Sequence, residues 1–537
     1  MEVLFIISNT LAILYFVRGF LNPICIEPGQ FLGKSNKRGM LVMLPLFNSL
    51  MEQNMQEIAA AGAIGSRTSA SVFKKYDIRG VVGDELIVDE IYHIVRCIAV
   101  YFKQCDQSLS TLVVGRDGRI HSPDIHKHVC AALQDSGINV LDIGVCPTPV
   151  FYYANNQLAV SGGIMITASH NPKQYNGLKL MLHNKNVFGE EIEVIKDLFF
   201  SGVVPERSVT RGFCQVCDIL SPYIDFLVTQ FASLKARPIR AVIDCAHGAT
   251  AAVIPELVKR MKWDLVKILH GKIDGTFPAH EADPTKDEHN SDIRRLIQSF
   301  PEYFGIGFDG DGDRMAAVTQ QGVLVRGDEL TALFCRAIHR ERGPFALAVD
   351  VKCSRVLLEE FKKRDITYTL TPCGVGFLRT VMREKACLFG GEISCHFCFN
   401  DRYFGYDDGI YAMLRLFEFI DTCGADLHTC YASLPERFCS PELRIACPHE
   451  QKWRIVDQVK DQIQRWPGGT LITVDGIRLE LDRGCITMRA SNTEPVLSVR
   501  FEGSTQKNLD DLKREFYMLL SSYIDRTYLV RVLNIKD

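Results

Sequence analysis

Three aspartates alternate with glycines in Asp309-Gly310-Asp311-Gly312-Asp313-Arg314. Carboxylates at i, i+2 and i+4 on a loop that glycine lets curl can converge on one hard cation. Without a cation, three acids crowded at the end of a buried strand repel one another. Two other readings fail on the residues themselves. An EF-hand wants glycine and glutamate where Arg314 and Gln320 stand. A dinucleotide fingerprint can be forced onto Gly305 to Gly310, but the acids would repel a pyrophosphate. A second loop, Thr167-Ala168-Ser169-His170-Asn171-Pro172, follows the apolar run GGIMIT and ends in Asn-Pro, which disfavours helix and presents Ser169 on a turn. A serine hydroxyl needs activation, and His170, Asn171 and Lys179 could polarise it or a phosphate attached to it.

Two further loops carry polar side chains in useful sets. Gly391-Glu392-Ile393-Ser394-Cys395-His396 offers acceptors and donors suited to vicinal sugar hydroxyls. Arg489-Ala490-Ser491-Asn492-Thr493-Glu494-Pro495 offers a bidentate fork plus hydroxyl, amide and backbone donors for a phosphate dianion. Each is weak evidence taken singly.

The elements that must position these loops read as α/β. Short Val/Ile-rich runs at 111–117, 162–167, 240–245, 304–309 and 346–351 alternate with helical patterns such as Asp89 to Phe102 and Ala252 to Met261. The units recur about every hundred residues, which predicts several related α/β domains. After Pro441 the texture changes to a long helix followed by LITVDGIRLEL, CITMRAS and VLSVRFEG, an α+β ending. The expected divisions are an extension at 1–68, domains at 69–220, 221–325, 326–438 and 439–528, and a tail at 529–537. The expected fold is three related mixed α/β domains plus a C-terminal α+β domain around a central cleft.

Composition sets the outer limits. The chain has 537 residues, 23% charged, with formal net charge -3, so no basic excess attracts nucleic acid. Its 19 cysteines are scattered without the spacing of a small secreted scaffold, which favours reduced cytosolic thiols. Cys214/Cys217 and Cys395/Cys398 are Cys-x-x-Cys pairs, too far apart in sequence to favour a shared zinc site. Val3 to Val17 is apolar but broken by Ser8, Asn9 and Thr10 and stopped by Arg18, short of the ~20 residues that span a bilayer. With Glu2 in place of a positive n-region, it also reads poorly as a secretory signal. A dispensable extension is favoured over a weak anchor, and the cytoplasm is the expected location.

Taken in order, T-A-S-H-N-P, D-G-D-G-D-R, G-E-x-S-x-H and R-A-S-N-T-x-P resemble the four active-site loops of the α-D-phosphohexomutases. Segments at 70–80, 113–119, 283–288, 350–355 and 402–416 are similar to the bacterial phosphomannomutase/phosphoglucomutase branch. The resemblance runs from about Ser69 to about Ile524. It implies that Ser169 carries the phosphoryl group, and that Asp309, Asp311 and Asp313 hold Mg²⁺ beside it. It implies further that Tyr76, Arg79, His170, Lys179 and Arg314 surround the transferring group. Lys352, Glu392, Ser394 and His396 would grip the sugar, and Arg489, Ser491, Asn492 and Thr493 the other phosphate. The implied reaction interconverts hexose 1-phosphate and hexose 6-phosphate through a hexose 1,6-bisphosphate. A monomer acting on small hexose phosphates is expected, with Lys179, His396 and His170 as unranked candidates for general base.

Two positions depart from the family pattern. Cys395 stands where glycine is usual, and Val375 where this branch often has histidine, which leaves mannose versus glucose preference open. A phosphoglucosamine mutase is the nearest alternative in class. A non-catalytic sugar-phosphate binder and a phosphatase are alternatives outside it; intact Ser169 and three aspartates argue against the first, and water access decides the second.

Overall fold

The computed structural model describes residues 66–464, 466–491 and 495–535. The Val3 to Val17 segment, Asn492 and Thr493 lie outside the described residues. Among the described residues, no helix is long and apolar enough to cross a membrane.

The first sheet has seven strands. Thr111–Arg116 pairs in parallel with Asn139–Val145 and Gly162–Ile166, Tyr175–Leu182 runs antiparallel to Gly162–Ile166, and Ile78–Val81 pairs antiparallel on the outer side of Tyr175–Leu182. Gly162–Ile166 is buried along its whole length, as a continuous apolar run covered by helices on both faces should be. Helix Val88–Cys105 places Ile91, Ile94, Val95, Ile98 and Phe102 on its buried face, the 3.6-residue stripe that an amphipathic helix turns to a core. Asp89 and Glu90 sit in its first turn, where they favour the helix dipole.

The second sheet runs Leu324–Val325, Met315–Val318, Phe304–Phe308, Ala241–Asp244, Lys267–Leu269. The third runs Thr367–Thr371, Ala346–Asp350, Phe389–Gly391, Phe397–Phe399. In each of the first three sheets a buried strand delivers a polar loop: Ser169 after Gly162–Ile166, Asp309 after Phe304–Phe308, and Glu392 after Phe389–Gly391. Apolar side chains from all three form one continuous core, from Val113 through Ile306 and Val349 to Phe417.

The last sheet has six strands, all antiparallel, backed by helices His449–Ile463 and Gln506–Leu520. It has a separate core of its own, including Ile445, Ile486, Phe501 and Phe516. Polar contacts join it to the third domain. Lys352 Nζ donates to Glu442 Oε2 at 2.9 Å, Arg478 donates to the carbonyls of Val351 and Cys353 at 2.7 Å, and Arg500 pairs with Asp328 at 3.0 Å.

Element boundaries differ from expectation in instructive places. Helix Ile254–Met261 starts two residues late because a 3₁₀ turn, Ala249–Ala252, precedes it, and Pro255 occupies its first turn, a position that needs no N–H donor. The residues expected as a tail after 528 belong to the last domain. Helix Arg526–Leu533 buries Leu529 and Leu533, an i, i+4 pair that lands on one face. The expected start is also late by a few residues, since Ser66 and Thr68 are held on Glu90 at 2.8 and 2.9 Å.

Candidate active site

Ser169 meets the metal-type loop directly. Its Oγ donates to Asp309 Oδ2 at 2.8 Å and lies 3.2 Å from His170 Nδ1. The residue is 2% exposed and has φ 51°, a left-handed conformation that costs about 1 to 2 kcal/mol for an L-residue. Surrounding contacts impose it. Ser169 N–H donates to Thr167 Oγ1 at 2.9 Å, and Arg119, 1% exposed, donates to the carbonyls of Ser169, Asn171, Pro172 and Tyr175 at 2.6 to 3.1 Å. Gly310 is required by the same closeness, since a Cβ there would lie 2.5 Å from the Ser169 carbonyl oxygen.

Asp309, Asp311 and Asp313 are each 1% exposed or less, and one oxygen from each falls within 4.8 Å of the others. Lys179 Nζ bridges Asp311 Oδ2 at 2.7 Å and Asp313 Oδ2 at 2.5 Å, and Thr148 Oγ1 donates to Asp311 Oδ2 at 2.6 Å. That leaves Asp311 Oδ1 and Asp313 Oδ1 buried without a hydrogen-bond partner. Orphaned buried carboxylate oxygens are costly, and oxygen ligands at this spacing fit a hard divalent ion. Burial and the other two carboxylates push Asp309 well above the usual carboxylate range. Burial works against the Lys179 ammonium, but Asp311 and Asp313 overcome it and hold Lys179 well above the usual lysine value.

The sequence-predicted residues around Ser169 come together, with one exception. Arg79 donates to the Ala168 carbonyl at 3.0 Å and Asn171 Oδ1 at 2.6 Å, and pairs with Asp77. Burial, with Arg314 and Arg79 nearby, holds His170 well below the usual imidazole value. Arg314 Nε donates to His396 Nε2 at 2.9 Å and sits 3.8 Å from Asp309 Oδ2. His396 Nδ1 lies 3.0 Å from Asp407 Oδ2, so both of its ring nitrogens are engaged. A β-bridge between Arg314 and His396 joins the metal-type loop to the third-domain loop. The exception is Tyr76. Expected near the transferring group, its hydroxyl instead donates to the Cys373 carbonyl at 2.5 Å, with Arg489 and Glu392 in its electrostatic surroundings.

Cys373 and Gly374 link the third and fourth loops. Gly374 N–H donates to Glu392 Oε1 at 2.7 Å, and Ser394 Oγ donates to Glu392 Oε2 at 2.8 Å. Cys373 N–H donates to Asp475 Oδ2 at 3.0 Å, and the same oxygen accepts Arg489 Nε at 2.7 Å. Arg489 lies within strand Gly484–Ala490, so its guanidinium projects from a sheet rather than from the expected loop. Ser491 is buried, and its carbonyl accepts Lys452 Nζ at 2.5 Å.

Four family models match in order: phosphoglucomutase/phosphomannomutase α/β/α domain I at 70–203, domain II at 221–322, domain III at 326–438, and the C-terminal domain at 442–518. The chain belongs to the phosphoglucomutase/phosphomannomutase family. A phosphomannomutase/phosphoglucomutase of Pseudomonas aeruginosa is 33% identical over 449 residues, covering 83% of this chain and 95% of that one. A phosphoglucomutase of Neisseria gonorrhoeae is 34% identical over 456 residues, covering 84% and 97%. The crystal structure of a phosphoglucomutase/phosphomannomutase family protein from Burkholderia thailandensis superposes with TM-score 0.77 at 30% identity, over 85% of this chain and 98% of that one.

Within this phosphohexomutase fold, the departure at Cys395 has a visible consequence. Cys395 has φ 69° and is 2% exposed, so a residue with a Cβ occupies the left-handed position where glycine is free of strain. Val375 opens helix Val375–Glu384 beside the Cys373–Gly374 link and packs against the apolar cluster of Ala348, Leu378 and Met382. The cysteine pairs do not assemble a metal site. Cys214 is exposed on the first sheet, Cys395 and Cys398 are buried in the third domain, and the candidate ligand groups among the described residues contain no cysteine.

Sequence reasoning gave no role to Arg119, Asp407, Glu442 or Asp475. Arg119 and Asp407 lie in segments that resemble the family, while Glu442 and Asp475 carry no pattern in the sequence. Beside Asp407, Asp408 caps helix Gly409–Cys423 by accepting from Tyr411 N–H and also accepts from Tyr223 and Tyr403 hydroxyls. Burial raises it to about 6 against those hydrogen bonds. A carboxyl raised in the folded state contributes stability at low pH that is lost as pH rises through its folded value. The stability difference between wild type and Asp408→Asn should therefore move against wild type by roughly 2 to 3 kcal/mol between pH 4 and pH 7. Urea unfolding at several pH values measures it, and a difference independent of pH would refute the shift.

Proposed function

We propose that this chain interconverts hexose 1-phosphate and hexose 6-phosphate of both mannose and glucose, with Ser169 as the phosphoryl carrier. The observation that carries this reading is Ser169 Oγ, 2.8 Å from Asp309 in a buried trio of carboxylates. Asp309, Asp311, Asp313 and the phosphorylated Ser169 would hold Mg²⁺, whose charge offsets that of the phosphoryl oxygens in transfer.

The chain's own residues do the rest by positioning. Arg489, Ser491, Asn492 and Thr493 hold the phosphate that is not being transferred, and Lys352, Glu392, Ser394 and His396 orient the sugar. The free hydroxyl of the bound hexose phosphate then faces phospho-Ser169, and the P–O bond to Ser169 breaks as the bond to the sugar oxygen forms. The product is a hexose 1,6-bisphosphate, which turns end for end and returns its other phosphate to Ser169. Arg79, Arg314 and Lys179 supply positive charge around the moving group. Lys179, His396 and His170 remain the candidates to take the attacking hydroxyl's proton, and His170, 3.2 Å from Ser169 Oγ, is placed to exchange a proton with the serine oxygen. A cytoplasmic setting is supported by the free cysteines among the described residues, and a monomer is the form we favour.

Assays with glucose 1-phosphate and mannose 1-phosphate, each with a trace of bisphosphate, test the reading. Isomerisation of both supports it; release of inorganic phosphate would make the chain a phosphatase, and turnover of glucosamine phosphate alone would replace the assigned sugars. Arg489→Ala should raise KM for hexose phosphate about 10- to 100-fold with a smaller change in kcat, from loss of a charge-assisted contact of about 1.5 to 3 kcal/mol. An unchanged KM would remove Arg489 from the phosphate cradle.

A further inference from the structure

The second domain carries a histidine cluster that the chemistry above does not use. Asp244, the last residue of strand Ala241–Asp244, is 1% exposed and points both carboxylate oxygens at imidazoles. His270 Nδ1 lies 2.8 Å from Oδ1, and His280 Nε2 lies 3.0 Å from Oδ2. The opposite nitrogens also face oxygens: His280 Nδ1 is 2.8 Å from the Glu281 carbonyl, and His270 Nε2 is 3.4 Å from Asp292 Oδ2.

Hydrogen-bond accounting makes this arrangement unusual. A neutral imidazole brings one N–H, so two neutral rings bring two protons to four oxygen-facing nitrogens. Either each ring takes up a second proton, which Asp244 favours at His270 and, against burial, at His280, or two lone pairs are left pointing at oxygen lone pairs. If His280 donates from Nδ1 to Glu281 and His270 from Nε2 toward Asp292, the unprotonated nitrogens are the two aimed at Asp244. A backbone carbonyl or carboxylate holding the outer N–H is how metal-ligating histidines are commonly oriented. One nitrogen of each ring and one Asp244 oxygen all lie within 4.8 Å of one another.

We propose that Asp244, His270 and His280 form a binding site for a divalent transition-metal ion of the zinc class, separate from the three-aspartate site. Two imidazole nitrogens and one carboxylate oxygen suit such an ion, whereas Mg²⁺ and Ca²⁺ prefer all-oxygen shells. The side chains of His270 and His280 are 16% and 13% exposed, which leaves solvent to complete the coordination. The ion would tie the end of one strand to two later loops immediately behind the Asp309 to Asp313 segment. There Ala249 N–H donates to the Gly310 carbonyl at 2.9 Å, and a Cβ on Gly248 would come within 2.8 Å of that oxygen. The inference does not depend on the reaction assigned above.

The test uses the full chain stripped with EDTA, returned to buffer containing excess Mg²⁺, titrated with Zn²⁺ and dialysed before metal counting. Wild type and Asp311→Asn should each retain about one Zn²⁺ per chain, and the double variant His270→Asn/His280→Asn should lose that equivalent. X-ray absorption at the zinc edge on the wild-type protein should show scattering from two imidazoles, which also decides the matter if the double variant does not fold. No retained Zn²⁺ in wild type, undiminished retention in the double variant, or a shell with fewer than two imidazoles would each overturn the site.

Discussion

Ser169→Ala should reduce turnover on the order of 10⁴-fold or more, the scale seen when a covalent carrier is removed, while the fold persists. The lost atom touches Asp309 and His170 and anchors nothing else. The strained backbone at Ser169 is set by Arg119 and Thr167, and alanine meets the same strain as serine there. Circular dichroism and thermal unfolding close to wild type, together with a collapsed kcat, are the expected pair of results. Intact mass after incubation with hexose bisphosphate should show a phosphate on wild type and none at this position in the variant. Retained turnover would take Ser169 out of the mechanism.

Asp311→Asn is the second large effect. The substitution preserves volume but removes the charge that faces Lys179 and Thr148, and it replaces one of two carboxylates with an orphaned buried oxygen. Turnover at fixed Mg²⁺ should fall about 10³-fold, in the range reported for losing one preorganised electrostatic contact, and half-saturation should move to higher Mg²⁺. Stability in EDTA should fall, because, against burial, Lys179 and Thr148 hold the Asp311 carboxylate below the usual range and the substitution leaves the Lys179 ammonium with one carboxylate partner fewer. Loss of activity in EDTA, recovery on adding Mg²⁺, and a shifted Mg²⁺ curve in the variant check this. An unshifted curve would show that Asp311 is not a ligand.

Much of this architecture was legible from sequence because its causes are local. Buried strands such as Gly162–Ile166 and Phe304–Phe308 announce themselves as apolar runs, and the loops after them carry polar residues at short fixed spacings. Acid-glycine alternation at 309 to 313 states its chemistry in five residues. The supporting residues were harder to see because their causes are distant in the chain. Arg119 acts on carbonyls 50 to 56 positions away, Glu442 on Lys352 90 positions away, and Asp475 on Cys373 102 positions away. A lone arginine or glutamate has no periodicity to betray such a partner. The contact from Tyr76 to Cys373 was hidden for the same reason, since it spans 297 positions. The late helix Arg526–Leu533 was missed because eight residues give too short a stretch to establish a period.

The last domain keeps its own apolar core and meets the third domain through ion pairs and carbonyl contacts. Parting it therefore exposes little oil to water; the cost is rehydrating and separating buried charged groups, since Arg478, Arg500 and Asp328 are 1%, 4% and 1% exposed. Arg489 and Ser491 belong to the last domain, so any loosening of that joint changes where the guanidinium stands relative to Lys352 across it.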